Sequence, residues 1–255
     1  MDADSVWTIS ILFLAGAAAG LVDSIAGGGG LITLPVLLGI GLPPQVALGT
    51  NKFQSSFGSF TATAYHVHKK NVDLFTARSG ILSTLLGAAL GAWAVQQIDA
   101  TVLGKIIPFL LAGILLYTFF TPKMGDVEQT PKMSANLAFG LTGIGFGFYD
   151  GFFGPGVGSF WAVSFVVLLG FNLARATGYT KLMNFTSNVV SLAVFALGGH
   201  VWFTSGLAMA AGQILGARLG SGLVITKGAS FIRPIFLTVV VAMIVKLFYD
   251  NFIAR

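Results

Sequence analysis

The chain repeats a polar pattern after about half its length. At one constant spacing, four residues of the first half recur in the second as Gly20 and Gly147, Asp23 and Asp150, Gly27 and Gly154, and Gly29 and Gly156. Slightly further on, at a spacing two residues longer, Gly49 and Lys52 recur as Gly178 and Lys181. A duplicated apolar unit whose segments are interrupted by glycine and polar residues at matching places is typical of secondary transporters. The repeat therefore favours solute transport.

Composition places the chain in a membrane. Hydrophobic residues make up 55% of the 255 residues, charged residues only 9%, and the mean hydropathy is +0.85. A soluble surface needs far more charge, so we expect an all-α polytopic membrane protein. Small residues at Gly87, Gly91, Gly216 and Gly220 are expected to pack helices closely. The net charge of +5 is explained by membrane topology, so no nucleic acid is expected as a partner.

The absence of cysteine narrows the chemistry. A chain with no cysteine has no thiolate nucleophile and no cysteine metal site, and no cofactor is expected. The three histidines are expected in interfacial loops, without a metal. The N-terminus carries Asp2 and Asp4 and no basic residue, so the first apolar segment is expected to stay rather than serve as a signal peptide.

Apolar stretches divide the chain into two similar halves. They cover residues 7–26, 31–41, 46–65, 76–95, 103–120, 134–149, 157–170, 175–198, 203–225 and 234–252. Residues 31–41 and 157–170 are too short to cross a bilayer, which takes about 20 residues. Each follows a glycine loop, which predicts a broken, hairpin-like first unit followed by three crossings. We expect one transmembrane domain, with repeats at 5–121 and 134–255, a linker at 122–133 and about 8 to 10 membrane segments.

Basic residues predict the orientation. Three crossings per repeat invert the second repeat and place one group of basic residues on a single side of the membrane: Lys69, Lys70, Arg78, Lys123, Lys132, Arg175, Lys227 and Arg233. Only Lys105 and Arg255 fall on the other side, whereas a parallel arrangement divides the charges more evenly. The positive-inside rule makes the crowded side cytoplasmic and puts both termini in the periplasm. Hairpins and full crossings give the same parity, so this alternative stays open.

Ionisable residues within apolar segments are candidates for a transport path, because each costs about 2.5–3.5 kcal/mol at a helix centre. The candidates are Asp23, Lys52, Asp150, Lys181 and Arg218. Arg218 has Ala89 as its repeat mate and could pair with a carboxylate or reach the cytoplasmic surface. Both lysines have polar neighbours along their helices, of which Ser55 shares a face with Lys52, and Asn184 and Asn188 share a face with Lys181. The substrate-binding candidates are therefore Asn51, Gln54, Ser55, Asn184 and Asn188, beside the lysines themselves. Together they predict a cationic chamber near the midplane that suits a small oxyanion.

Glycine loops supply further candidates. Free N–H groups at a half-helix start attract anions, and glycine allows close approach of the backbone. The candidates are Gly28, Gly29, Gly30, Gly154 and Gly156. The alternative is a tight turn between packed segments without a ligand. Asp23 and Asp150, four residues before these loops, are expected to neutralise the lysines or cap the broken backbone, or else to carry a coupling proton.

These motifs are similar to those of a known family. The stretches GLVDSIAGGGGLITLPVLL and LPPQVALGTNKFQSSFGSFTATAYH, with their echoes GFYDGFFGPGVGSFW and ARATGYTKLMNFTSNVVSL, resemble the sulfite exporter TauE/SafE family. The resemblance covers nearly the whole chain and implies export of sulfite or an organosulfonate across the bacterial inner membrane. Asn51, Lys52 and Lys181 match its motif positions. Without cysteine, the cysteine relay of related thiosulfate transporters is not expected.

The second loop departs from the first. Pro155 and Val157 stand where the first loop has Gly28 and Gly30, so unequal contributions to binding are expected. The expected function is secondary transport by alternating access, with a small anionic substrate and the lipid bilayer as partners and a homodimer left open. Alternatives are a transporter or channel for another small anion, and a membrane-embedded enzyme. The enzyme is disfavoured, because the sequence offers no nucleophile–base pair.

Overall fold

The computed structural model of the chain describes residues 6–26, 28–120 and 128–227, together with the single positions 241, 245 and 249. Within these ranges the chain is all-helical. The helices are α1 (Val6–Ala26), α2 (Gly30–Gly39), α3 (Pro44–His68), α4 (Arg78–Gln96), α5 (Ala100–Phe120), α6 (Ala135–Phe152), α7 (Val157–Leu169), α8 (Leu173–Leu197) and α9 (Phe203–Lys227). Gly27, the first half of the linker (122–127) and all of the predicted segment 234–252 except positions 241, 245 and 249 lie outside the described residues.

The helix boundaries follow local sequence signals. Pro44 occupies the first position of α3, where its missing N–H has no intrahelical partner to lose. Gly170 ends α7 in the left-handed conformation, with φ of +67°, which glycine adopts without strain. The short helices α2 and α7, with 10 and 13 residues, confirm the prediction of two interrupted segments.

Three described helices are long and apolar enough to span a membrane, at residues 6–24, 78–96 and 100–117. Helices α3 and α8 are longer, at 25 residues each, but carry more polar residues. Their polar side chains are mostly buried inside the protein, whereas apolar side chains such as Leu86, Trp93 and Leu141 point outward. An apolar exterior around a polar interior is the arrangement expected of a multi-pass membrane protein.

Helices α3 and α8 pack against each other in antiparallel directions. Gly49, near the start of α3, lies against Phe195 near the end of α8, and Gly178 near the start of α8 lies against His66 near the end of α3. Between these contacts Asn188 Nδ2 donates a hydrogen bond to Ser59 Oγ at 3.4 Å. The two polar helices thus share one long interface.

Two further helix pairs flank this interface. Helix α4 packs along α6, and α1 packs along α9. Glycine makes both approaches close: a methyl group on Gly91 would collide with the carbonyl oxygen of Phe148, and one on Gly216 with that of Ala17. The predicted small-residue faces are therefore confirmed as helix-packing surfaces.

Packing in the two halves is equivalent. When each helix of the first half is exchanged for its counterpart in the second, α1 for α6 and α4 for α9, the pair α4–α6 becomes α9–α1. By the same exchange, α1–α2 becomes α6–α7 and α2–α3 becomes α7–α8. One apolar core surrounds α1, α2 and α5, and a second surrounds α6, α7 and α8. The polar residues of α3 and α8 lie between these two apolar cores.

Candidate functional site

A buried ion pair joins the middle of α3 to the end of α6. Lys52 Nζ donates to Asp150 Oδ1 at 2.6 Å, and the two side chains are 1% and 5% exposed. Because an unpaired charge at this depth costs several kcal/mol, each group depends on the other for its charged state. The lysine belongs to the first half of the chain and the aspartate to the second.

A second ion pair repeats this arrangement with the halves exchanged. Lys181 Nζ in α8 donates to Asp23 Oδ2 at 3.0 Å and also to the backbone carbonyl oxygen of Asp23. Lys181 is 1% exposed and Asp23 is 25% exposed. Each lysine therefore binds the aspartate of the other half, so the two ion pairs hold the halves together.

This pairing changes the expected charge of the chamber. The sequence predicted two lysines forming a net positive site, but Lys52 and Lys181 are each paired with a carboxylate. The formal charge of the four side chains is zero. The lysines therefore offer an anion no net positive charge unless the paired aspartate moves away or loses its charge.

A small polar cavity lies beside the two ion pairs. Its volume is about 30 Å³, more than the roughly 10–15 Å³ that one water molecule requires. The residues that line it come from both halves: Asp23, Gly28, Gly29, Gly30, Asn51, Lys52, Ser55, Asp150, Gly154, Gly156, Val157, Gly158, Asn184 and Asn188. Most of the predicted site residues are thus brought together around one cavity.

The first glycine loop binds its own aspartate. Gly28 N and Gly29 N donate to Asp23 Oδ1 at 3.1 and 3.4 Å, at the start of α2. The N–H groups predicted to bind an anion are therefore already bound to a carboxylate. Asp23 combines two of the roles expected for it, because it caps the broken backbone and neutralises Lys181.

The second glycine loop has a different geometry. Gly154 and Gly156 have φ of +100° and +81°, so the chain turns sharply before α7. Within the described ranges no backbone N–H donates to Asp150, whose charge is balanced by Lys52. The two loops touch, since a methyl group on Gly30 would lie 3.2 Å from Pro155 Cα. This difference agrees with the unequal contributions expected from Pro155.

Polar side chains extend the site along α3. Asn51 Oδ1 accepts hydrogen bonds from Thr33 Oγ1 at 2.5 Å and from Gln54 Nε2 at 2.9 Å. Gln54 Nε2 also donates to Ser55 Oγ at 2.8 Å. Asn51 and Ser55 line the cavity, while Gln54 supports them from behind. Sequence reasoning missed Thr33, whose only signal is a hydroxyl one turn after Gly29 in the short segment.

Asparagines extend the site along α8. Asn184 and Asn188 both line the cavity. Asn188 also contacts α3 through Ser59, whereas Asn184 Oδ1 is buried without a hydrogen-bond partner. Lys181 does not line the cavity itself, whereas its partner Asp23 does.

Arg218 and the histidines are not at this cavity. Arg218 lies on the exposed face of α9 and is not brought to the ion pairs. His66 is buried in α3, 3.3 Å from Asn71 through its ring nitrogen Nδ1, so its expected position in an interfacial loop is wrong. One side of the last turn of α3 is buried in the protein, and His66 lies on that side. Among the described residues, no group of three or more histidine or acidic side chains could hold a metal ion.

Comparisons with known proteins agree with these features. The family model described as sulfite exporter TauE/SafE matches residues 12–247. A probable membrane transporter protein of Haemophilus influenzae is 47% identical over 244 residues, covering 95% of both chains. The probable membrane transporter protein YfcA of Escherichia coli K12 is 47% identical over 244 residues, covering 95% of this chain and 90% of the relative. A probable membrane transporter protein of a Sinorhizobium species is 44% identical over 243 residues, covering 95% of this chain and 93% of the relative. No solved structure matches the chain significantly.

Proposed function

Because this chain belongs to the sulfite exporter TauE/SafE family, we propose that it exports a small sulfur oxyanion, sulfite or an organosulfonate, across the bacterial inner membrane. It works as a secondary transporter, by alternating access around the cavity between its two halves. The curated relatives are named probable membrane transporter proteins, which supports transport as the activity of this chain.

The observation that carries this proposal is the crossed set of ion pairs at the cavity. A buried ion pair is often no more stabilising than apolar side chains of similar volume, because both charges lose their hydration. Ionisable groups inside membrane segments therefore usually serve a transport path. Lys52–Asp150 and Lys181–Asp23 lie at the tips of two glycine loops, beside amide and hydroxyl side chains. Such a site can exchange a carboxylate for another small oxyanion.

Inverted repeats and the membrane orientation are part of the proposal. The antiparallel packing of α3 against α8 and the exchangeable helix pairs support an inversion of one half relative to the other. Loop charge supports cytoplasmic placement of the linker and of the loops holding Lys69 and Arg175, with both termini periplasmic. In this arrangement the two halves rock against each other and open the cavity alternately to each side.

Flux measurements in proteoliposomes test the function. We expect the purified protein to move radiolabelled sulfite with saturable kinetics and with acceleration by sulfite on the opposite side. Lys52→Gln should lower the rate about tenfold or more, because a charge-assisted hydrogen bond is worth about 1.5–3 kcal/mol. Lys105→Gln, an exposed lysine of α5, is the matched control and should leave the rate unchanged.

Each result has a defined meaning. The double variant Lys52→Gln/Asp150→Asn removes both charges together, so its loss of flux cannot be assigned to an unpaired buried aspartate. No sulfite or sulfonate movement by the wild-type protein, or equal rates for Lys52→Gln and wild type, contradicts the proposal. Flux without saturation or trans-acceleration indicates an anion channel, and chemical conversion of the substrate indicates an enzyme.

A further inference from the structure

The carboxylate of Asp23 is bound as a ligand would be bound. Its Oδ1 accepts from Gly28 N and Gly29 N, and its Oδ2 accepts from Lys181 Nζ. We infer that Asp23 occupies the site of the transported oxyanion in this conformation, and that the anion replaces it when a proton from solution neutralises Asp23. This inference rests on the proposed transport function and adds to it a defined anion site and a co-transported proton.

The donors around Asp23 match an oxyanion. Two backbone N–H groups at a helix start and one ammonium group are the usual ligands of phosphate, sulfate and sulfonate groups. Here the helix is α2, whose ten residues begin directly after the two donating glycines. A sulfonate or sulfite group offers oxygens on adjacent corners of one atom, so it can accept from the loop and from the lysine at once.

An unpartnered amide marks the same place. Asn184 is 5% exposed, lines the cavity that Asp23 also lines, and lies one helical turn after Lys181. Its Oδ1 has no hydrogen-bond partner. A buried acceptor without a partner costs about 1–3 kcal/mol, and exchanging the two ends of the amide would remove that cost where an anion lies in the cavity. An amide can turn its NH₂ group toward an anion, so Asn184 is suited to a third oxygen of the substrate.

Exposure points to Asp23 as the group that moves. Its side chain is 25% exposed, whereas Lys181, Lys52 and Asp150 are 1–5% exposed. Asp23 can therefore turn into the cavity while Lys181 keeps its place. The charges then require a proton, because Lys181 balances one negative charge and a second, unbalanced carboxylate would be buried beside the anion.

The exchange conserves charge. Before it, the lysinium of Lys181 is paired with the carboxylate of Asp23. After it, the lysinium is paired with the anion, and Asp23 is a neutral carboxylic acid, so one monoanion and one proton enter with no net charge. Besides Asp23 and Lys181, the titratable or charged residues on the surrounding helices are Lys52, Tyr65, His66 and His68 on α3, Tyr149 and Asp150 on α6, Arg175 and Tyr179 on α8, and Arg218 and Lys227 on α9. Helices α2 and α7 carry none.

The second half does not offer an equivalent site. Asp150 is balanced by Lys52 without described backbone donors, and it is more deeply enclosed than Asp23. The counterpart of Gly28 in the second half is Pro155, which has no backbone N–H group to donate. The anion site is therefore assigned to the first glycine loop and Lys181.

Binding measurements on the full chain in lipid nanodiscs test this assignment. Methanesulfonate is the probe, because its single negative charge is constant between about pH 5.5 and about pH 8; sulfite is measured beside it. For wild type we expect the affinity to fall by up to about tenfold for each unit by which the pH rises, because each anion bound requires one proton from solution. Asp23→Asn, a neutral mimic of the protonated acid, should bind with an affinity that no longer depends on pH.

Asp99→Asn is the matched control. Asp99 also accepts two backbone N–H bonds at a helix start, from Thr101 and Val102, but it is exposed and does not line the cavity. This variant should keep the wild-type dependence on pH. The number of protons taken up per methanesulfonate bound, measured with wild type in weak buffer, gives a readout that needs no variant. We expect a value near one.

The outcomes separate this inference from the proposed function. If wild type binds and transports sulfite but takes up no proton, or binds methanesulfonate equally at all pH values, the inference is overturned and the transport function stands. If Asp23→Asn keeps the wild-type pH dependence, the inference is also overturned. If wild type neither binds nor moves either anion, the proposed function itself fails.

Discussion

Lys52 and Asp150 form the more enclosed of the two crossed pairs, and their dependence on each other can be measured as stability. Lys52→Met leaves the Asp150 carboxylate buried without a counter-charge, which should cost about 3–5 kcal/mol. The double variant Lys52→Met/Asp150→Leu removes both charges and should regain most of that loss while remaining inactive in transport. Thermal unfolding in detergent, followed by loss of the monodisperse protein, measures this. A single variant as stable as wild type would contradict the pairing.

Lys181 should behave differently under the same substitution. After Lys181→Met, Asp23 keeps its hydrogen bonds from Gly28 N and Gly29 N and its partial exposure. The remaining carboxylate is therefore less costly than that of Asp150, and the loss of stability should be smaller than for Lys52→Met. The same unfolding assay compares the two variants directly. An equal or larger loss for Lys181→Met would show that the backbone donors do not stabilise Asp23.

Among the helices, the glycine faces of α4 and α6 give a further prediction. Gly91→Ala places a methyl group against the carbonyl oxygen of Phe148, so α4 and α6 must separate, at a cost of about 1–3 kcal/mol. Gly140→Ala in α6 is the matched control, because nothing lies within 4 Å of the added methyl group. It should be neutral or slightly stabilising. Melting temperatures of the two variants in detergent measure the difference, and equal values would contradict the close packing.

The elements themselves could be predicted well from the sequence. Hydropathy and segment length predicted nine of the helices to within a few residues, including the short α2 and α7, because these features depend on local composition. Partner choice could not be predicted. The repeat spacing shows that Lys52 corresponds to Lys181 and Asp23 to Asp150, but it does not show which lysine meets which aspartate. That follows only from the packing of α3 and α8 between the two halves, which also buries His66.

For the whole molecule, the crossed ion pairs link the chemistry of the site to the proposed movement of the two halves. Each pair joins one half to the other, so the halves cannot change their relative position without changing the contacts of Lys52 or Lys181. Asp23 is partly exposed and Asp150 is enclosed, so the two pairs are not in equivalent states in this conformation. Such an asymmetry is what alternating access between two related halves requires. The sequence indicates through Pro155 and Val157 that the two halves differ, but not that Asp23 is the more exposed of the two aspartates.

Membrane orientation provides the last prediction, and the natural absence of cysteine makes it direct. Phe75→Cys lies in the exposed connection between α3 and α4, and Gln97→Cys lies between α4 and α5. Because the first connection adjoins Lys69, Lys70 and Arg78, it should be cytoplasmic, and the second should be periplasmic. A membrane-impermeant maleimide should label Gln97→Cys in cells with an opened outer membrane, and Phe75→Cys only after lysis. The cysteine-free parent is the control, and the reverse labelling pattern would invert the orientation and with it the expected direction of export.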